Sequence, residues 1–258
     1  MSIFRNGNYP LETKEQDVKS MFELVRACPY IADNLSYSET IKATKIYYES
    51  DNESVNAYAS VRDESSESFK IVIFQGICNA FKLGALAMAE FDANKNINRF
   101  VECVKWIGKK AGETGTFSIS DIKDGISALD IKMTGNICRE AKSYVAGSLL
   151  SVIGHEAGHI ILKHVVREDT GEANSRNDER MADLVSCAVS ESTPFCRYSI
   201  LGGLIMEIVF NWLHSDMSPS DESSHPHSKE RVHNMVNSHR EYLESLGLSI
   251  NNIDQFLP

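Results

Sequence analysis

The sequence predicts an α+β fold, mostly helical, with a small antiparallel sheet. Three short β-prone runs are confined to residues about 43–75, and beyond residue 76 the apolar positions recur at helical spacing. No internal repeat and no linker between folding units interrupts the chain. Its 258 residues therefore read as a single domain, 1–258, large enough to bury a substantial core.

The elements follow in order. Residues about 11–28 place Val18, Met21, Phe22 and Val25 among charges at a helical period. Residues 43–50 lean to strand through Ile46 and the paired Tyr47 and Tyr48. A second β-run, Ser54 to Val61, and a third, Phe69 to Phe74, flank the polar stretch Asp63 to Ser68, which predicts a hairpin. With the Tyr47–Tyr48 strand they make a three-stranded antiparallel meander, 43–75. Ala80 to Phe91 is rich in strong helix formers, and Phe100 to Ile107 continues in that style. Gly112 to Thr116 reads as a loop. Ile137 to His164 reads as one long helix with a possible break near Gly147. Polar residues Glu168 to Asn177 read as a loop, and the next helix starts at Asp178-Glu179 and runs to about Ser190. An apolar helix over 199–213, a Ser/Pro/Asp loop over 215–224 and a last helix over about 228–245 complete the chain.

Composition excludes some classes of function. A net charge of −10 with no basic stripe argues against a nucleic-acid partner. The most apolar stretch, Ile200 to Phe210, falls short of the ~20 residues that span a bilayer and is interrupted by Glu207, so it predicts a buried helix and no membrane span. The first eight residues lack the apolar core of a secretory signal, and the six scattered cysteines form no Cys-x-x-Cys pair, which points to reduced thiols and a cytoplasmic location.

Within the long helix stands His155-Glu156-Ala157-Gly158-His159. Two histidines four apart share one helix face, about 5–6 Å apart at Cβ, close enough to bind one zinc ion. Glu156, beside the first histidine, is placed to take a proton from a water on that zinc. The bland alternative is a pair of core histidines satisfied by backbone or carboxylate groups. A zinc site needs a third protein ligand. Glu179 and Asp183, four apart on the following helix, supply a ligand and an acceptor for the second N–H of a ligand imidazole. Glu172 competes for the ligand role from the predicted loop, and Glu179 is preferred because rigid elements place ligands better.

These residues resemble the zinc metallopeptidases typified by HtpX, the Oma-type proteases and the CAAX prenyl protease, a branch of the gluzincins. Four features carry the resemblance: His155 to His159 with His164 five residues on; Glu179-x-x-Ala182-Asp183; the strand Asn56-Ala57-Tyr58-Ala59; and His225-Pro226 followed by Arg231-Val232. They cover residues 40–76 and 148–235. Members commonly span membranes, so the chain resembles the small soluble ones, and residues 77–147 match nothing and read as a helical insertion.

The resemblance implies a gluzincin-like fold with the meander over the metal-binding helix, and one Zn2+ held by His155, His159 and Glu179. It implies hydrolysis of peptide bonds in a protein or peptide substrate, with Glu156 as general base and the Asn56–Ala59 strand pairing with the extended substrate. His225 has two functional readings, an oxyanion donor or a group that occupies the fourth zinc position and holds the enzyme latent; a surface histidine starting a helix is the third. His227 stands behind it, and Arg231 pairs with a carboxylate near the site or with solvent. His164 reads as an outer-shell or surface residue. The rival function is a catalytically idle relative that keeps the zinc and serves as a binding or regulatory module.

Overall fold

The computed structural model describes residues 12–63, 68–94, 97–166, 172–213 and 228–245, with two isolated positions, 254 and 257. Helix α1 (Glu15–Ala27) buries Val18, Phe22 and Val25, the face read from their spacing. Two short helices that the periodicity did not reveal follow, α2 (Pro29–Ala32) and α3 (Leu35–Ala43). Pro29 occupies the first turn of α2, where its missing N–H costs nothing, and the Asn34 side chain caps α3 by accepting from the Tyr37 N–H.

The sheet corrects the predicted meander. Strands β1 (Lys45–Glu49), β2 (Ala57–Asp63) and β3 (Ser68–Phe74) lie in the order β1-β3-β2. β2 and β3 form the expected antiparallel hairpin, but β1 runs parallel to β3. Burial gives the physical reason. β3 carries Phe69, Ile71, Val72 and Ile73, all buried, and so takes the central place with a partner on each side. The less apolar β1 and β2 take the edges.

Helix α4 (Gln75–Asn94) follows β3 directly and is buried over most of its length, Lys82 included. Then come α5 (Ile97–Thr114), α6 (Ile119–Ala128) and α7 (Gly135–Ile161). The stretch from Gly112 expected as a loop is helical through Thr114, since one glycine is tolerated near a helix end, and the chain turns at Gly115, with φ of 69°; a Ser118–Asp121 capping box starts α6. α4 packs on α7 and belongs to the same hydrophobic core as the sheet.

α7 is the spine, packed by α4, α8 and α9. It passes Gly147 without a break, because that glycine faces the Tyr198 backbone and lets α9 approach. It stops at Ile161, and His164 lies in a separate 3-10 turn, His164–Val166. α8 (Glu172–Glu191) starts six residues before the predicted Asp178, so Glu172 belongs to a helix and not to a loop. Its first turns are polar on every face, which is why they read as a loop. α9 (Cys196–Leu213) is the expected apolar helix, with Glu207 buried in it. The last helix is two, α10 (Ser228–Ser238) and α11 (Arg240–Ser245). Among the described residues no helix is long and apolar enough to cross a membrane.

Candidate functional site

The long helix brings His155 and His159 to one face in its last two turns, as their spacing requires. Their Nε2 atoms stand 3.1 Å apart. α8 brings Glu179 against both: Oε2 lies 3.3 Å from His155 Nε2 and Oε1 lies 3.4 Å from His159 Nε2. The approach depends on small residues. Gly158 lies against Ala182 and Gly154 against Ser186, so glycines four apart on α7 meet small residues four apart on α8. A Cβ on Gly158 would sit 2.9 Å from the Ala182 Cα. Ser186 fastens the same seam, donating to the Ser151 carbonyl at 2.7 Å.

The donor set fits a metal ion. Ligand atoms bound tetrahedrally at 2.0–2.1 Å stand about 3.4 Å apart, close to the spacing of these three. His155, His159 and Glu179 form the one such group among the described residues, and it can hold an ion. Its electrostatics ask for a cation. Arg231, on α10, is buried and grips Asp183 with two hydrogen bonds, Nε to Oδ2 at 2.9 Å and Nη2 to Oδ1 at 2.7 Å. The same Nη2 donates to Glu207 Oε1 at 3.0 Å, and Nη1 lies 3.6 Å from Glu179 Oε2. One guanidinium thus faces three carboxylates, and two of them, Glu179 and Asp183, also face the imidazoles.

Asp183 stands where the sequence put it, with Oδ1 2.9 Å from His155 Nδ1, within hydrogen-bonding reach but off the N–H axis. Burial pushes the Asp183 carboxyl up, and Arg231 and His155 more than reverse this, holding it below its ordinary range. Burial likewise opposes charge on His155, yet contact with Asp183 and Glu179 holds its pKa well above the usual imidazole value. On Glu207 burial wins over the pull of Arg231, and the carboxyl is pushed up to about 7.

A cleft of about 660 Å³ opens over this centre. Its lining joins His155, Glu156, His159 and Glu179 to Asn56, Ala57, Tyr58 and Ala59 of β2 and the residue before it. Glu156 is 8% exposed and has no side-chain hydrogen bond or ion pair with another described residue. Among the described residues no strand pairs with the outer edge of β2. The Phe74 N–H donates to the Asn56 carbonyl, so Asn56, Tyr58 and Ser60 turn their backbone groups to β3, and Ala57 and Ala59 turn theirs outward. The Asn56 side chain accepts the Ala57 N–H, leaving Ala59 with both groups on the open edge.

Sequence reasoning overlooked Glu207 as a partner for Arg231; its signal was a single acid inside an apolar helix. Glu172 begins α8, and its side chain lies outside the described residues. His225 and His227 lie outside the described residues. No protein-family model, curated protein or solved structure matches the chain, and its function is read from the chemistry of this cleft.

Proposed function

We propose that the chain is a zinc-dependent endopeptidase acting on extended peptide segments. One observation carries this: the metal-holding trio, the uncommitted Glu156 carboxylate and the open edge of β2 share a single cleft. Two imidazoles and a carboxylate with room for a fourth group are the donor set of catalytic zinc. Bound there, zinc supplies Lewis acidity, lowering the pKa of a water toward ~7 and polarising a substrate carbonyl.

The chain's own groups do the rest. His155 and His159 present their Nε2 lone pairs, and Glu179 presents a carboxylate oxygen. Glu156 accepts the proton of the attacking water on a carboxylate oxygen and hands it to the departing amine nitrogen. The Ala59 N–H and C=O bind the substrate main chain as an added strand, which holds the scissile bond over the helix without demanding a particular sequence. Arg231 keeps the acid-rich side of the centre from repelling itself.

The test is Glu156→Gln in zinc-loaded protein offered a denatured protein substrate. The variant retains one zinc per chain and loses cleavage by about 10²- to 10⁴-fold. Cleavage equal to wild type overturns the base assignment. Wild-type protein that binds zinc but shows no Glu156-dependent cleavage overturns the enzyme reading in favour of an idle zinc-binding module.

A further inference from the structure

We infer that His164 and Asp178 form a positioning pair that fixes the ring and tautomer of His159. The inference rests on the metal-centre reading above and concerns how one of its ligands is held.

The geometry is a chain of three side chains. His159 turns Nε2 to the centre, and its other nitrogen, Nδ1, lies 3.1 Å from Nδ1 of His164. The rings stand edge to face, with centroids 5.2 Å apart and planes at 71°. His164 Nε2 in turn lies 3.3 Å from Asp178 Oδ1, a charge contact within reach but off the ring N–H axis. The His164 side chain is 6% exposed, so solvent has little access to the contact.

One assignment of protons suits these three contacts together with a metal-facing lone pair on His159. A ligand imidazole keeps its lone pair on the nitrogen that faces the metal, so His159 carries its hydrogen on Nδ1 and donates it. His164 then accepts on Nδ1 and carries its own hydrogen on Nε2, the nitrogen on the side of the Asp178 carboxylate. The two histidines are different tautomers, and Asp178 selects the one His164 must adopt. A negative group behind Nε2–H also makes Nδ1 a better acceptor.

The path of the backbone makes this contact possible. Had α7 continued, residue 164 would lie about 140° around the helix from His159 and could not meet it. The helix instead ends at Ile161, and Lys163 just past the cap takes a φ of 60°, the left-handed conformation in which helices commonly reverse, here at a lysine in place of the usual glycine. That reversal returns His164 onto the ring five residues back. Asp178 comes from α8, one residue before Glu179, so the helix that brings the third ligand also brings the end of this chain.

The two ligand histidines are thereby held by unlike partners. His155 faces a carboxylate already clamped by Arg231, whereas His159 faces a second imidazole with an acid behind it. Outer partners of ligand histidines are typically worth 10- to 100-fold in metal affinity.

The experiment uses the full chain, Zn2+ itself and nitrogen-15 spectroscopy of the histidine rings. In metal-free wild type, His159 is expected with its hydrogen on Nδ1 and His164 with its hydrogen on Nε2. His164→Ala removes the bias on His159 and weakens Zn2+ binding about 10- to 100-fold. His164→Gln, whose side-chain carbonyl accepts the same N–H, recovers most of that loss and guards against a variant that merely folds badly. Asp178→Asn shifts the His164 tautomer and weakens binding less than His164→Ala. Zn2+ affinity in His164→Ala equal to wild type, or a His159 hydrogen on Nε2 in metal-free wild type, overturns the positioning pair while leaving the metal centre standing. A wild-type chain that takes up no Zn2+ overturns both.

Discussion

Gly158→Ala tests how the centre is assembled, because the new methyl group touches no ligand. Its Cβ would lie 2.9 Å from the Ala182 Cα and 3.1 Å from the Ala182 carbonyl oxygen, and Val185 Cβ is also 3.1 Å away. Carbon atoms rest about 3.5–4.0 Å apart, so α8 must retreat by roughly 0.6 Å or more at that point. Two of the obstructing atoms are helix backbone and the third is a Cβ fixed to it, so none can rotate aside. Overpacking of this kind costs about 1–3 kcal/mol, and alanine returns up to ~1 kcal/mol of helix propensity. The net, about 1 kcal/mol, lowers the melting temperature by roughly 2–4 °C in a chain of this size.

The effect on the centre is larger. Glu179 is carried on the displaced helix, and ligand constellations tolerate only about 0.5 Å of misplacement. Zinc affinity is expected to fall about 10- to 100-fold, as much as the loss of an outer partner. Competition against a chromophoric chelator reads the affinity, and calorimetry reads the stability. Gly147→Ala is the counterpart: its Cβ would meet the Tyr198 backbone at 2.3 Å, far from the ligands, so it should cost more stability and less affinity. A Gly158→Ala variant that melts lower yet binds zinc as tightly as wild type would refute the claim that the α7–α8 spacing sets the site.

Further outcomes follow from the same geometry. Arg231→Leu strands the acids it grips, at a cost of about 3–5 kcal/mol in metal-free protein, and thermal unfolding should show it as a fall of roughly 10 °C or more. Glu207, with its pKa raised from 4.5 to about 7, binds its proton more tightly in the folded state, so stability falls as pH rises through that window, by about 3 kcal/mol in total. Urea titrations from pH 4.5 to 8 should show this slope reduced in Glu207→Gln; an unchanged slope assigns it to another group. Ala59→Pro removes an outward N–H that β3 does not use, so the hairpin should survive while KM for a denatured substrate rises about tenfold or more, and an unchanged KM would remove β2 from substrate binding.

What could be read from the sequence was local and periodic. The four-residue spacings of His155 with His159 and of Glu179 with Asp183 needed only a helix to become geometry, and the structure brings all four together. The order of the strands could not be read this way, since it depends on which strand the helices cover, and the buried β3 took the centre. The start of α8 was lost because residues 172–177 carry no apolar stripe. The pairing of Arg231 with Glu207 joins α10 to α9 across a loop, and no spacing rule reaches that far.

Arg231 also gives the site a history within synthesis. The cation that clamps Asp183 stands 48 residues after it in the chain. At translation rates of 5–20 residues per second, α8 with its acids precedes its counter-ion by about 2–10 s. During that interval the acidic face of the nascent centre has no guanidinium to neutralise it, and α8 has less reason to settle against α7. The order of the residues thus makes completion of the cleft a late event, timed by the arrival of α10.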